Sequence, residues 1–145
     1  MVGREMTERF PHRPNTVRDE VGLEVRNFTV YHEQFTERVV VDDVSLKVHK
    51  GEVVGIYGLI GSGRTELAMS IFGQAYGTRT SGILIKDGKT VELPSIPKAI
   101  EAGLSYVTED RKESGLLLGS SVMHNITLPR MDFVSKNGRI DRDLE

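Results

Sequence analysis

Apolar and polar positions alternate along Leu23-Glu24-Val25 and again along Phe28-Thr29-Val30, with a slip of phase at Asn27. Such alternation predicts a half-buried strand, and the slip predicts a bulge within it. Val44, Leu46 and Val48 repeat the pattern and predict a second early strand. Glu52-Val53-Val54-Gly55-Ile56-Tyr57 is more uniformly apolar and reads as a buried strand, after which Leu67, Ala68, Ile71 and Phe72 follow at helical spacing. Gly73 then closes the predicted helix as the residue past its C-cap. Ile83-Leu84-Ile85-Lys86 and Lys89-Thr90-Val91-Glu92-Leu93 flank Asp87-Gly88, a pair favoured in two-residue hairpin turns.

Farther on, Ser95 is a candidate cap for a helix running through Ala99, Ile100 and Ala102 to Gly103. Leu104-Ser105-Tyr106-Val107 is predicted to be a strand entering the core. Asp141 offers a helix start with only four residues behind it, too few to complete a stable helix, and the expectation is a truncated chain. Residues 1–20 are polar, contain Pro11 and Pro14, and lack periodicity, so they read as a linker or tail with the domain running over 21–145.

Composition narrows the function classes. The chain has 145 residues, a net charge of -2 and no cysteine, which suits one soluble domain without disulfides. Acidic and basic residues are interspersed, so no basic stripe recommends a nucleic-acid partner. No apolar run approaches the roughly 18 residues needed to span a bilayer, and the first residues lack the apolar core of a signal peptide. His12, His32, His49 and His124 are scattered without ligand spacing, which argues against a protein-bound transition metal.

The chemistry concentrates in Gly58-Leu59-Ile60-Gly61-Ser62-Gly63-Arg64-Thr65, which matches the phosphate-loop pattern G-x-x-x-x-G-K-S/T except that Arg64 replaces lysine. Predicted strand, glycine loop and predicted helix occur in the order that the motif requires. In such a turn the backbone N–H groups fold around an anion, and the positive end of the helix dipole adds to the field. Gly58, Gly61 and Gly63 permit the close backbone approach, Ser62 lies within the loop, and the Thr65 hydroxyl is expected to ligate Mg²⁺. Arg64 keeps a positive charge but is longer and planar, so it preserves phosphate attraction better than it preserves the geometry of hydrolysis. Glu66 is an oddity: an acid suits the first turn of a helix, yet its charge opposes a bound phosphate unless it points outward. The alternative is a glycine-rich turn that merely packs.

Hydrolysis needs more than this loop: an apolar strand ending in Asp to hold Mg²⁺, and a residue that orients water. Val39-Val40-Val41-Asp42-Asp43 has the composition of such a strand but lies upstream of the loop, where a solvated strand end at a turn is the simpler reading. Hydrolysis by this chain alone is therefore not expected.

Several segments together resemble the front half of the second, degenerate nucleotide-binding cassette of ABC-type monosaccharide importers. They are Met1-Val2-Gly3-Arg4-Glu5, Val44-Ser45-Leu46 with Lys50-Gly51-Glu52, Gly61-Ser62-Gly63-Arg64-Thr65-Glu66-Leu67, Tyr106-Val107-Thr108-Glu109-Asp110-Arg111-Lys112 and Ser121-Val122-Met123-His124-Asn125-Ile126. The resemblance implies an α/β P-loop NTPase fold of the ABC cassette type, truncated, with an early antiparallel β-subdomain, the helical signature subdomain and the aspartate strand lying beyond Glu145. It implies ATP and Mg²⁺ as ligands, at Gly58, Gly61, Ser62, Gly63, Arg64, Thr65 and Glu66.

It also places Glu109 where ordinary cassettes carry the glutamine of the Q-loop. There a carboxylate can contact Mg²⁺, although pairing with Arg111 or Lys112 in a solvated charge run is equally open. Tyr31 is the available aromatic for stacking on adenine, with packing into the core as the alternative. Gly115-Leu116-Leu117-Leu118-Gly119 and Met123 form either a surface for a membrane subunit or part of the domain's own core.

The implied partners are transmembrane permease subunits, the other nucleotide-binding cassette and, indirectly, a periplasmic sugar-binding protein. Localisation would be cytoplasmic and peripheral on the inner face of the membrane, and the sugar a pentose such as xylose. Unpaired strand edges carry a risk of self-association. Two other readings remain: a fragment of a soluble P-loop kinase or GTPase, and a scaffold whose loop binds nothing.

Overall fold

The computed structural model describes Pro14 and residues 16–144. The chain divides into two compact units, Met1–Ser105 and Tyr106–Glu145.

The first unit is built on an antiparallel sheet. Strands β1 (Val21–Tyr31), β2 (Val39–His49), β3 (Thr80–Lys86) and β4 (Lys89–Val91) lie in the order β2-β1-β3-β4, so the two long strands pair along their length and β2 is an edge. The phase slip at Asn27 is a bulge. Asn27 takes φ +48, the register shifts between Val25 and Phe28, and the inward face passes from Val25 to Phe28 and Val30. Asp43 takes φ +47 opposite it, and the Asn27 amide donates to the Asp43 carboxylate at 2.8 Å, so the two irregularities brace each other. Val39–Asp43 is the leading end of β2, starting directly after the β1–β2 connection as a strand end at a turn does, with β1 beside it: Val30 faces Val41 and Tyr31 faces Val39.

Asp87 (φ +49) and Gly88 (φ +77) form the tight turn between β3 and β4, with the two left-handed residues that the primed turn requires. Helix α1 (Arg64–Ile71) lays Leu67 onto the sheet, and Gly73 follows its end at φ +73. Val25, Phe28, Val30, Val41, Leu67, Leu84, Leu93 and Ala99 form one core, with Ile71 and Phe72 packed against it. Helix α2 (Ile96–Glu101) contributes Ala99; Ser95 precedes it but makes no side-chain cap, and Gly103 terminates the turn at φ +80. Residues 16–20, assigned by sequence to the linker, hold the end of β2: Arg18 donates from its backbone to Lys50 O at 2.9 Å and the Thr16 hydroxyl to Gly51 O at 3.2 Å. The rest of that stretch, except Pro14, lies outside the described residues, as does the Met1–Glu5 segment of the resemblance.

Two predicted strands do not form. Glu52–Tyr57 is irregular, and its apolar side chains are exposed, Val53 at 97% and Tyr57 at 100%. A strand is stabilised by ladder bonds to neighbours, and among the described residues no strand runs beside this one. Instead an open groove of about 660 Å³ is lined by Val44 and Leu46 of β2 together with Val54 and Ile56. Leu104–Val107 is likewise outside any strand, with Val107 exposed.

The second unit is a series of short elements. A single π-helical turn at Arg111–Gly115 is capped by Asp110, whose carboxylate accepts from the N–H groups of Lys112 and Glu113. Helix α3 (Val122–Thr127) is capped by Ser121, and Asn125 clamps the preceding loop by bonding both N–H and C=O of Leu117. A 3₁₀ turn at Leu128–Arg130 leads to α4 (Met131–Val134), then β5 (Ser135–Lys136) and β6 (Arg139–Ile140) meet across an Asn137-Gly138 turn. Asp141 starts a turn and no helix, in line with the few residues behind it: its N–H is taken by Val134 O, and Leu144 N–H bonds back to Asp141 O.

Candidate functional site

The glycine loop lies in the first unit and runs straight into α1. Gly63 is the N-cap residue, with φ +84, and makes no side-chain cap. A Cβ there would strike the carbonyl oxygen of Val40, so the chain passes against the backbone of β2 at a distance only glycine allows. The first intrahelical bond runs from Leu67 N–H to Gly63 O at 2.8 Å, which leaves the N–H groups of Arg64, Thr65 and Glu66 without an intrahelical acceptor. Upstream, Ser62 N–H closes a turn onto Leu59 O at 3.1 Å, and the Ser62 hydroxyl and the Arg64 stem lie over Gly58.

The side chains of this region are uncommitted. Among the described residues neither the Thr65 hydroxyl, the Arg64 guanidinium nor the Glu66 carboxylate has a hydrogen-bond or ion-pair partner. Free N–H donors, a hydroxyl and a guanidinium at the positive end of a helix suit an anion, and the hydroxyl suits a hard cation bound to it. The donor set therefore fits a nucleotide phosphate with Mg²⁺.

Beside the loop lies a polar cavity of about 210 Å³, lined by Gly61, Ser62 and Gly63, by Glu66 of α1, by Tyr76, and by His32 and Arg38 from the ends of the β1–β2 connection. Glu66 is thus part of the wall of this cavity and only partly exposed. His32 accepts the N–H groups of Gln34 (3.0 Å) and Phe35 (3.2 Å) at Nδ1, and its ring meets Tyr76 edge-on with centroids 6.2 Å apart. The Tyr76 phenol is held above its ordinary value, first by burial and then by the charges of Glu66 and Glu33, while a backbone N–H from Glu33 and the charge of Arg38 act in the opposite sense.

Tyr31 does not line this cavity; the Arg79 guanidinium covers its ring at 3.9 Å from the centroid. His32, Arg38 and Tyr76 were not singled out as site residues by sequence. The available signal was local: His32 and Arg38 bracket the short connection that leads into β2, whose Val40 touches the loop.

Glu109 belongs to the second unit, where it is exposed and, among the described residues, forms no ion pair with Arg111 or Lys112. Within this chain Leu116, Leu117, Leu118 and Met123 are exposed by roughly half or more. Among the described residues no cluster of His, Asp or Glu is arranged to hold a metal by itself, and no helix is long and apolar enough to cross a membrane.

The chain is similar to several known proteins. The L-arabinose transport ATP-binding protein AraG of Geobacillus stearothermophilus is 48% identical over all 145 residues of this chain, which cover 28% of that protein. The xylose import ATP-binding proteins XylG of Thermoanaerobacter pseudethanolicus and of Brucella melitensis are 46% and 41% identical, again over the whole chain and 28% of each relative. The chain thus spans between a quarter and a third of the length of these curated relatives. No solved structure matches it. The family model described as ABC transporter matches residues 41–145, a stretch holding most of β2, the glycine loop and the whole second unit, and the chain belongs to that family.

Proposed function

We propose that this chain binds Mg-ATP at Gly58–Thr65 and serves as the nucleotide-binding part of an energy-coupling subunit in a monosaccharide importer. The observation that carries the reading is the set of uncommitted donors at the start of α1: the N–H groups of Arg64, Thr65 and Glu66, the Thr65 hydroxyl and the Arg64 guanidinium. A triphosphate laid against them would accept from the amides and from Arg64, and the Thr65 hydroxyl would be a ligand for the accompanying Mg²⁺. Bound metal neutralises phosphate charge, and this chain's residues fix the ligand's position. Gly61, Ser62 and Gly63 bring the backbone close to the phosphates, and Glu66 lies in the first turn of α1 beside them.

The base stacks on the aromatic pair ending β1. Tyr31 is the sequence-based choice, and His32 is the ring that lines the cavity. The resemblance assigns Glu109 a contact with Mg²⁺, and Glu109→Gln tests that assignment independently of the loop through the Mg²⁺ dependence of ATP affinity.

In the domain organisation we propose, residues 1–20 link to a preceding cassette and 21–145 form part of a second one. The permease subunits, the paired cassette and an indirectly coupled sugar-binding protein are the partners, at the cytoplasmic face of the membrane. Relatives named for L-arabinose and xylose favour a pentose as the sugar. The half-exposed row Leu116–Leu118 with Met123 supplies apolar surface for a permease helix.

The direct test is calorimetric titration of the folded 145-residue chain with Mg-ATP, alongside Arg64→Ala. Saturable binding that weakens in the variant is expected. A folded wild-type chain that takes up no nucleotide would leave the scaffold reading in its place.

A further inference from the structure

The sequence poses a charge problem at the loop. Arginine replaces the compact lysine, and two residues later, in the same turn of α1, Glu66 adds a carboxylate; Glu66 lines the cavity beside the loop and is only partly exposed. A polyanion approaching that cavity meets like charge, and unscreened repulsion at contact distance is large enough to decide whether it binds. Glu66 has no counter-ion within ion-pair distance among the described residues. The compensating charge must therefore come from a group that lines the same space without being bound to it.

Arg38 meets that description. Its backbone is fixed at both ends of the connection: Arg38 N–H donates to Phe35 O and His32 N–H donates to Arg38 O, each at 2.8 Å. Arg38 lines the cavity with Gly61, Ser62, Gly63 and Glu66, and among the described residues its guanidinium has no hydrogen-bond or ion-pair partner. Arg38, Glu66 and Tyr76 line one cavity, and the charges of Glu66 and Glu33 act on the Tyr76 phenol in the sense opposite to that of Arg38.

We infer that Arg38, on the connection between β1 and β2, is a second cationic contact for the phosphates of the bound nucleotide and offsets the Glu66 carboxylate. The inference rests on the nucleotide reading above and adds to it a residue outside the loop motif. A guanidinium is suited to this role because its planar fork can engage two phosphate oxygens at once. The loop then has cations on two sides, Arg64 on α1 and Arg38 on the connection, where the usual motif relies on one lysine.

The test is titration of the 145-residue chain with Mg-ATP and, separately, with inorganic triphosphate, at low and high salt, for wild type, Arg38→Gln, Arg38→Lys and Glu66→Gln. Arg38→Gln is expected to weaken both ligands by about tenfold, in the range of one lost charge-assisted hydrogen bond. Its affinity should also depend less on salt than that of wild type. Arg38→Lys should recover part of the loss, which a purely structural role for the side chain would not produce, and Glu66→Gln should bind both ligands more tightly. Wild-type affinity for both ligands in Arg38→Gln overturns the inference and leaves the nucleotide reading standing. A loss confined to ATP overturns the phosphate assignment. Absence of ATP binding by the folded wild-type chain overturns both.

Discussion

Replacing Gly63 by alanine adds one methyl group at the point where the loop enters α1, and the neighbouring Gly61 provides an internal control. Both glycines lie in the left-handed region, at φ +84 and +77 respectively. For any residue with a Cβ that conformation costs about 1–2 kcal/mol. At Gly61 no atom lies within 4 Å of the added carbon, so Gly61→Ala carries that cost alone. At Gly63 the carbon meets the carbonyl oxygen of Val40, a backbone atom of β2 set between the pairs Val30 with Val41 and Tyr31 with Val39. That oxygen cannot rotate away as a side chain would. Relief requires displacing the first turn of α1 or the strand, and the total rises to about 2–4 kcal/mol.

For a chain of this size the melting temperature falls roughly 2–4 °C per kcal/mol, so the expected loss is about 4–16 °C for Gly63→Ala against about 2–8 °C for Gly61→Ala. Thermal and urea denaturation followed by far-UV circular dichroism would measure both, with an unchanged urea m-value showing that stability alone has altered. If the two variants melt together, the close passage of the loop against Val40 contributes nothing, and the argument for glycine at that position fails.

Further outcomes follow from the same geometry. His32→Ala should weaken ATP more than Tyr31→Ala, because His32 lines the cavity whereas Arg79 covers Tyr31; a larger loss in the tyrosine variant would return base stacking to Tyr31. Leu67→Ala should destabilise the chain by about 2–5 kcal/mol, since that side chain is the buried anchor of α1; a chemical denaturation midpoint close to wild type would contradict it.

Glu24, Glu52 and Asp87 are all held below their ordinary values: Glu24 chiefly by Arg26, Glu52 by the His49 backbone and ring, and Asp87 by Lys86 and Lys50. Groups lowered in the folded state stabilise above their unfolded values and lose that contribution as pH falls through the folded ones. Stability should therefore decline as pH drops below the ordinary carboxylate range, and Glu24→Gln should flatten that decline in melts taken across it. Lys50, raised chiefly by Glu20 and then by Asp87, contributes in the opposite direction. Its share is complete below the ordinary lysine value and is lost as pH rises through the elevated one, a loss that Lys50→Met should remove.

Local chemistry made much of this protein readable from its residues. Asp87-Gly88 specifies its turn because both residues tolerate left-handed angles, and the phase slip at Asn27 announced a bulge because side chains alternate strictly along a strand. The glycine spacing of the loop, the helix behind it and its stop at Gly73 follow from backbone freedom and helical period over a few residues. Asn137-Gly138 carries an equally local hairpin signal, but its strands are two residues each, too short to show alternation.

Other features depended on neighbours far along the chain. Val53–Tyr57 has the composition of a buried strand, yet a strand exists through its ladder partners, and composition cannot supply them. Whether Glu66 stood in open solvent or in the wall of the cavity beside the loop was undecidable from its position in the motif. It depended on how α1 packs Leu67 against the sheet and on where the β1–β2 connection brings His32 and Arg38. The same packing left Tyr31, the last residue of β1, beneath Arg79 and put His32, the first residue of the connection, in the cavity wall; only the assembled sheet and connection determine which of them meets the loop.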